Sequence, residues 1–232
     1  MKILSIDSSA KTASVAVAEN GIIISECFVN AGLTHSRTLM PMVNNTLSQA
    51  DLSINDIDAF AVNAGPGSFT GIRIGVAAVK GLALPLNKPC CSVSTLESAA
   101  YNFTDTDCVV CVAMDARCAQ VYTALFKSEN GSISRLTDDS AMPISELSEL
   151  LMKYNETIFL AGDGAEICFA YMKDKKSDIH LASENRRYQR ASGVALAAFN
   201  KGGFEDSALL TPVYLRLPQA ERELKLKKEN SK

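Results

Sequence analysis

The stretch Gly65-Pro66-Gly67-Ser68-Phe69-Thr70-Gly71 joins an apolar segment at residues 58–64 to a longer apolar segment at residues 72–86. The first segment is short and predicts a buried strand, whereas the second has the length and spacing of a helix. A glycine-rich loop between a strand and a helix can present backbone N–H groups to an anion. No Gly-Lys-Ser/Thr follows, so the stretch is not a Walker A loop. Close packing of its small residues against another helix explains the same pattern equally well.

The elements around this loop occur twice along the chain. Each half is predicted to contain three strands, a helix, a strand and a helix. In the first half these are residues 2–7, 14–18, 22–29, 35–50, 58–64 and 72–86. In the second half they are residues 109–115, 120–127, 133–136, 145–153, 157–161 and 165–172. An acid ends the first strand of each half, and an Asn-Gly turn follows each second strand. The order indicates an internal duplication.

The remaining predicted elements lie between and after the two copies. Residues 90–94 are predicted to form a strand, and residues 95–103 a helix for which Thr95 is the candidate cap. A closing helix is expected at residues 192–199 and an extended segment at residues 208–217.

Composition excludes several classes of protein. The chain has 232 residues, is 47% hydrophobic and carries a formal net charge of −3. This charge argues against a protein that wraps nucleic acid by itself. Aromatic residues make up 6%, too few for an obvious base-stacking platform. No signal-peptide pattern and no run of about 20 apolar residues is present, so we expect a cytoplasmic protein without a membrane span.

The cysteine pattern does not predict a metal site. Cys108 and Cys111 form a C-x-x-C motif within an apolar strand, where residues three apart point to opposite faces. There is no second C-x-x-C motif, and His35 and His180 are the only histidines in the sequence. We expect reduced, buried thiols and no bound metal.

Two acids at the ends of equivalent strands suggest a cleft between the halves. Asp7-Ser8-Ser9 follows the first strand of one copy, and Asp115 ends the first strand of the other. Such a turn can offer hydroxyl and N–H groups to a phosphate, although Asp and Ser are also ordinary turn residues. The arrangement resembles the superfamily of acetate and sugar kinases, Hsp70 and actin, which binds ATP in this cleft. Asp7, Ser8, Ser9 and Asp115 are therefore the candidate nucleotide-binding residues.

This resemblance implies an α/β fold of two duplicated, actin-like (ASKHA, ribonuclease H-like) subdomains. We expect residues 1–104 to form the first subdomain, with the glycine-rich motif, and residues 105–216 to form a second, degenerate one. The charged residues 217–232 are predicted to be a flexible tail. The return of the last helix to the first subdomain is common in this superfamily.

Five motifs together resemble the bacterial TsaB (YeaZ) family. They are Ile6-Asp7-Ser8-Ser9, the glycine-rich stretch extended to Gly75, Val93-Ser94-Thr95-Leu96-Glu97, Met114-Asp115-Ala116-Arg117 and Pro212-Val213-Tyr214-Leu215-Arg216. The similarity covers the chain up to about Arg216. It implies a role in placing a threonylcarbamoyl group on N6 of the adenosine next to the anticodon, in tRNAs that read codons starting with A.

The resemblance also implies partners and a non-catalytic role. The related TsaD protein is the catalytic subunit and carries a metal-binding His-x-x-x-His, whereas Thr95 and Ala99 stand at the corresponding positions here. We expect a heterodimer with TsaD, association with the ATPase TsaE, tRNA contact only through the complex, and a homodimer when the chain is alone. No resident cofactor is expected, and ATP or ADP is a candidate ligand at the complex interface.

The family resemblance places the partner interface on the two helices at residues 35–50 and 72–86. The candidate interface residues are His35, Leu39, Met42, Val43, Gly71, Arg73, Gly75 and Ala78. The small residues among them would let another helix approach closely, unless this stripe packs inside the chain. Arg73 lies unfavourably near a helix N-terminus, which suggests an acidic partner. Pro41 indicates that the first helix either kinks there or begins there.

A different class of function is the alternative. The chain would then be a stand-alone ATP-using phosphotransferase or a peptidase of the M22 type. Asp7 and Asp115 favour the phosphotransferase, whereas the missing His pair counts against the peptidase.

Overall fold

The structure is a computed structural model that describes residues 1–216. Its strands form two sheets. The strands of the first sheet are β1 (Lys2–Asp7), β2 (Ala13–Glu19), β3 (Ile22–Val29), β4 (Ala59–Gly65) and β5 (Cys90–Ser94). Those of the second are β6 (Cys108–Asp115), β7 (Gln120–Glu129), β8 (Ser132–Arg135), β9 (Ser140–Pro143), β10 (Ile158–Ala161) and β11 (Ile179–Leu181). The predicted tail at residues 217–232 lies outside the described residues.

The two sheets have the same topology. The first has the order β3-β2-β1-β4-β5, and the second has the equivalent order β8-β7-β6-β10-β11, with β9 paired to β7. In both, the first three strands are antiparallel and the next strand pairs parallel to the first. The predicted duplication and the two-subdomain α/β fold are confirmed.

Helices cover both faces of the first sheet. The helices are α1 (His35–Gln49), α2 (Phe69–Ala83), α3 (Thr95–Ala100), α4 (Ile144–Leu151), α5 (Ala165–Met172), α6 (Glu184–Arg187) and α7 (Ala191–Lys201). On one face, α1 and α2 share a core with β1, β2 and β4. On the other face, α7 packs its small residues Ala197 and Ala198 against Ile3 and Ala61. Helix α1 begins at His35 and contains Pro41 in its interior, so it does not begin at the proline.

Opposite faces of the second sheet bury different cores, as the C-x-x-C spacing predicts. Cys111 lies in the core beneath α4 and α5, whereas Cys108 lies in the core shared with α3. Burial raises the pKa of the Cys111 thiol to about 12 and also raises that of Cys108. Both thiols are therefore neutral packing groups at neutral pH.

Several predicted boundaries differ from the structure. Strands β9 and β11 and helix α6 were not predicted, because each has only three or four residues. The side-chain cap of α3 is Ser94, whose Oγ accepts from the Glu97 N–H, and not Thr95. Helix α7 packs on β1 and β2, so the second subdomain ends before it and not at residue 216.

One segment, Phe69–Leu86, is long and apolar enough to span a membrane by length and composition alone. A single helix of this kind is weak evidence for a span. Its buried side chains, among them Ile72, Val76 and Val79, belong to the core of the first sheet.

Candidate functional site

A cavity of about 410 Å³ lies between the two subdomains. Its walls are the turns that follow β1 and β6, the loop before α2, and the chain at residues 213–216. Its charged lining residues are Lys11, Asp115, Arg117, Asp163 and Arg216. The cleft predicted from the two equivalent acids is therefore present.

The polar groups of the first turn are used inside the chain. The Ser8 hydroxyl donates to the Gly71 carbonyl oxygen at 2.8 Å, and the Ser9 hydroxyl donates to Asp7 Oδ1 at 2.6 Å. All three turn residues are at most 1% exposed. The turn thus offers no free side-chain hydroxyl to a phosphate, although Ser9 lines the cavity, and nucleotide binding by these residues stays a prediction. Their role in the structure is to join β1 to α2.

Asp7 is buried with one oxygen satisfied and one without a partner. Its Oδ1 also accepts from the Asn63 amide at 2.7 Å and from the Ser9 N–H at 3.2 Å, whereas Oδ2 has no partner in the described chain. Burial raises the pKa of this carboxyl above 3.8, and the hydrogen bonds from Ser9 and Asn63 oppose the shift. Charge at this position therefore opposes folding.

Asp7→Asn should raise the free energy of unfolding at neutral pH, because the amide oxygen can accept the same bonds without burying a charge. In the wild type, the folded chain keeps a proton that the unfolded chain releases above pH 3.8, so stability falls as the pH rises through this window. The variant should lack that fall. Urea unfolding of both proteins over a pH series measures the difference. If the free energy of unfolding of wild type and Asp7→Asn changed with pH in the same way, the burial of an unfavourable charge at Asp7 would be contradicted.

The acids that line the cavity are Asp115 and Asp163. The Asp115 N–H donates to Asp163 Oδ1 at 3.0 Å, and the Arg117 N–H donates to Asp115 Oδ1 at 2.7 Å. Loss of solvent around the Asp163 carboxyl raises its pKa, and the nearby Asp115 charge adds to the effect. The predicted pair, Asp7 and Asp115, is corrected, since Asp7 is fully buried and is not among the lining residues.

Asp163 is a site residue that the sequence pattern did not predict. It lies in Gly162-Asp163-Gly164, between β10 and α5. The glycine-rich loop before α2 holds the equivalent position in the first subdomain. The duplication would have identified Asp163 if the two loops had been aligned.

The residues at the expected metal position are buried in α3. Thr95 is 0% exposed and its hydroxyl has no partner in the described chain, and Ala99 is 1% exposed. Within residues 1–216, no group of three or more His, Cys, Asp or Glu side chains is placed to hold a metal ion. Neither side chain carries an imidazole.

Most of the predicted interface residues face the chain's own core. Leu39, Met42 and Val43 of α1 are 1–5% exposed and pack on the first sheet. The expectation that they contact a partner is wrong, because the apolar side of α1 is the side that covers the sheet. Ala78 is half-buried against the same core.

The glycine stripe of α2 packs on the first turn and not on another molecule. A Cβ at Gly71 would overlap the Ser8 carbonyl oxygen, and a Cβ at Gly75 would lie 2.6 Å from Ser8 Oγ. These glycines therefore let α2 approach the end of β1. Of the two readings of the stripe, internal packing is the correct one.

The two polar interface candidates have partners within the chain. His35 Nε2 lies 2.7 Å from the Ala10 carbonyl oxygen and acts as the donor. Arg73 is exposed, but its guanidinium lies 3.8 Å from the centre of the Phe69 ring, and its Nε donates to the Tyr214 hydroxyl at 2.8 Å. Within the described chain the contacts of Arg73 are therefore aromatic, and an acidic partner on another chain stays a prediction.

Three comparisons with known proteins agree with this fold. The family model for the tRNA N6-adenosine threonylcarbamoyltransferase TsaD matches residues 29–227. The tRNA threonylcarbamoyladenosine biosynthesis protein TsaB of Bacillus subtilis is 32% identical over 95% of this chain and 96% of its own length. A Pseudomonas aeruginosa structure, described as similar to the peptidase YeaZ, superposes with a TM-score of 0.81 at 27% identity, over 93% of this chain and 99% of that one.

A more distant structure shows the wider fold alone. Component A of (R)-2-hydroxyglutaryl-CoA dehydratase from Acidaminococcus fermentans superposes with a TM-score of 0.52 at 13% identity, over 87% of this chain and 98% of that one. With the duplicated sheets and the cleft between them, these matches define an actin-like protein of two subdomains. The chain belongs to the TsaB (YeaZ) family and acts in threonylcarbamoyladenosine biosynthesis on tRNA, within the TsaD-type modification system. The alternative of a stand-alone kinase or peptidase is not favoured.

Proposed function

We propose that this chain is the non-catalytic partner of a TsaD-type transferase. The observation that carries the proposal is the first turn of the cleft. The hydroxyls of Ser8 and Ser9 are bonded within the chain and Asp7 is fully buried, so these three residues have no side-chain group left for a substrate phosphate. The buried Thr95 and Ala99 at the metal position of the catalytic relative support the same role.

The outward sides of α1 and α2 are the surface that we assign to the partner. Only 33% of the residues in the apolar segment Phe69–Leu86 are buried, so much of its apolar surface faces solvent. Met40 is 40% exposed and Leu84 is 65% exposed, and Ala77 and Gly81 of α2 are exposed as well. Exposed apolar helix faces of this kind are typical of protein–protein interfaces. The residues of this outward surface alternate along α1 and α2 with the buried residues that cover the first sheet.

The same surface accounts for the other expected partners. Without the transferase, a second copy of the chain would cover it in a homodimer. TsaE and tRNA would join only through the complex, and ATP or ADP would bind only where the subunits meet. The chain would work in the cytoplasm, where tRNA is modified, and would hold no cofactor of its own.

Ala77→Arg should weaken capture of co-expressed TsaD by at least about tenfold, because it places a charge within the proposed interface. Ala170→Arg on α5 is the matched control, since it adds the same side chain at an exposed alanine of the other subdomain. Both variants should keep the wild-type melting temperature. Affinity-tag capture and thermal unfolding measure the two effects.

Two results would count against these assignments. If Ala77→Arg and wild type captured TsaD equally well, α2 would not be part of the interface, but the partner role would still stand. Failure of the wild type to capture TsaD would contradict the partner role itself.

A further inference from the structure

The last described residues run back along α2. The Lys80 ammonium, near the end of this helix, donates to the carbonyl oxygens of Ala208 at 2.9 Å and Leu210 at 3.1 Å. Leu210 is 1% exposed and belongs to the core of the first sheet. The chain then passes antiparallel to α2 and reaches the start of that helix. We call residues 211–216 the strap.

Tyr214 fixes the strap to the first turn of α2. Its ring stacks on the Phe69 ring, with 4.7 Å between centroids, and its hydroxyl accepts from Arg73 Nε at 2.8 Å. The Arg73 guanidinium lies over the same Phe69 ring. Tyr214 is therefore held by a ring stack with Phe69 and a charged hydrogen bond from Arg73, whose guanidinium also lies 5.7 Å from the centre of the Tyr214 ring.

A glycine and a backbone hydrogen bond place the strap against β4. The Val213 N–H donates to the Ala64 carbonyl oxygen at 2.7 Å. The next residue, Gly65, has φ +133°, and a Cβ there would overlap the Val213 carbonyl oxygen. Only glycine permits both this backbone conformation and this approach. The glycine-rich motif is thus shaped in part to receive the strap.

The end of the strap contacts the other subdomain. Arg216 Nη1 donates to the Ala116 carbonyl oxygen at 3.2 Å, in the turn between β6 and β7. All residues from Val213 to Arg216 line the cavity. One short segment therefore contacts both walls of the cleft and forms a wall of its own.

We propose that the strap is a latch that holds the two subdomains closed across the cavity. Tyr214, held by Arg73 and Phe69, is the fixed point on the first subdomain, and Arg216 makes the contact with the second. Val213 is 48% exposed and Tyr214 is 39% exposed, so the strap can open without exposing a large core. Release of the latch opens the cavity and frees the two turns that face it.

Hydrogen exchange of the full chain tests the latch, with Tyr214→Ala as the releasing variant. Exchange should become about tenfold faster in the strap and also in the facing turns at residues 8–11 and 115–119, because a stack and a charged hydrogen bond are lost together. Tyr171→Ala is the matched control, since Tyr171 is 44% exposed and also lies under a cation, Lys175 at 3.5 Å. It should leave all three segments unchanged.

The facing turns decide the outcome. Faster exchange in the strap alone would show a loosely packed end and overturn the proposal, as would unchanged exchange in the strap. Tyr214→Phe is a second, milder variant that should not disturb folding. It keeps the ring and removes only the hydroxyl that accepts from Arg73. A smaller increase in the same three segments supports the latch, whereas no increase in the turns contradicts it.

Discussion

Gly71→Ala should destabilise the fold by about 3 kcal/mol, although alanine is the better helix former. The new methyl group would overlap the Ser8 carbonyl oxygen, which is backbone and cannot rotate away. Either α2 or the turn after β1 must move, and the Ser8–Gly71 hydrogen bond would be strained with it. Urea unfolding of the purified variant measures the loss.

Gly81→Ala in the same helix is the control for this substitution. A Cβ at Gly81 meets nothing within 4 Å, so only helix propensity changes and stability should rise by about 1 kcal/mol. Gly75→Leu should behave like Gly71→Ala, because its side chain would enter the space of Ser8 Oγ and Val62. Equal free energies of unfolding for Gly71→Ala and Gly81→Ala would show that Gly71 and Gly75 are not closely packed inside the chain.

Depletion of this protein from its host should abolish threonylcarbamoyladenosine in bulk tRNA. The family acts in the biosynthesis of this nucleoside, and under the proposed partner role the TsaD-type enzyme would be left without its partner. Mass spectrometry of nucleosides from digested tRNA measures the effect. Expression of the wild type or of Gly81→Ala should restore the nucleoside, whereas Gly71→Ala should restore less of it in proportion to its folded fraction.

The two strains also separate function from folding. Unchanged threonylcarbamoyladenosine after depletion would contradict the role of the chain in this pathway. Full restoration by Gly71→Ala would instead show that the variant folds in the cell, and would bear only on the packing of α2.

The strand-and-helix order could be predicted because the elements of the two halves are apolar and regularly spaced. Strands β1, β3 and β5 have the predicted ends. The short strands β9 and β11 could not be predicted, since three or four residues carry no periodic signal. The cap of α3 was misplaced by one residue because Ser94 and Thr95 are equally suited to that position by type.

The site was harder to predict than the fold. Sequence spacing identified the apolar side of α1 but could not tell whether Leu39 and Val43 cover the chain's own sheet or a partner. The small residues of α2 indicated a close approach but did not reveal that Ser8 is the neighbour. Asp163 and the strap join the cavity only through tertiary contacts between segments far apart in sequence.

The return of α7 and the strap to the first sheet affects the order in which the protein can fold during synthesis. The first sheet buries Val194 and Leu210, so it lacks part of its core until the ribosome has released these residues. The second sheet uses only strands from residues 108–181, which emerge earlier. Domains generally fold as they are made. We therefore expect the strands of the second sheet to emerge first, while the first sheet keeps one face uncovered until α7 has also emerged.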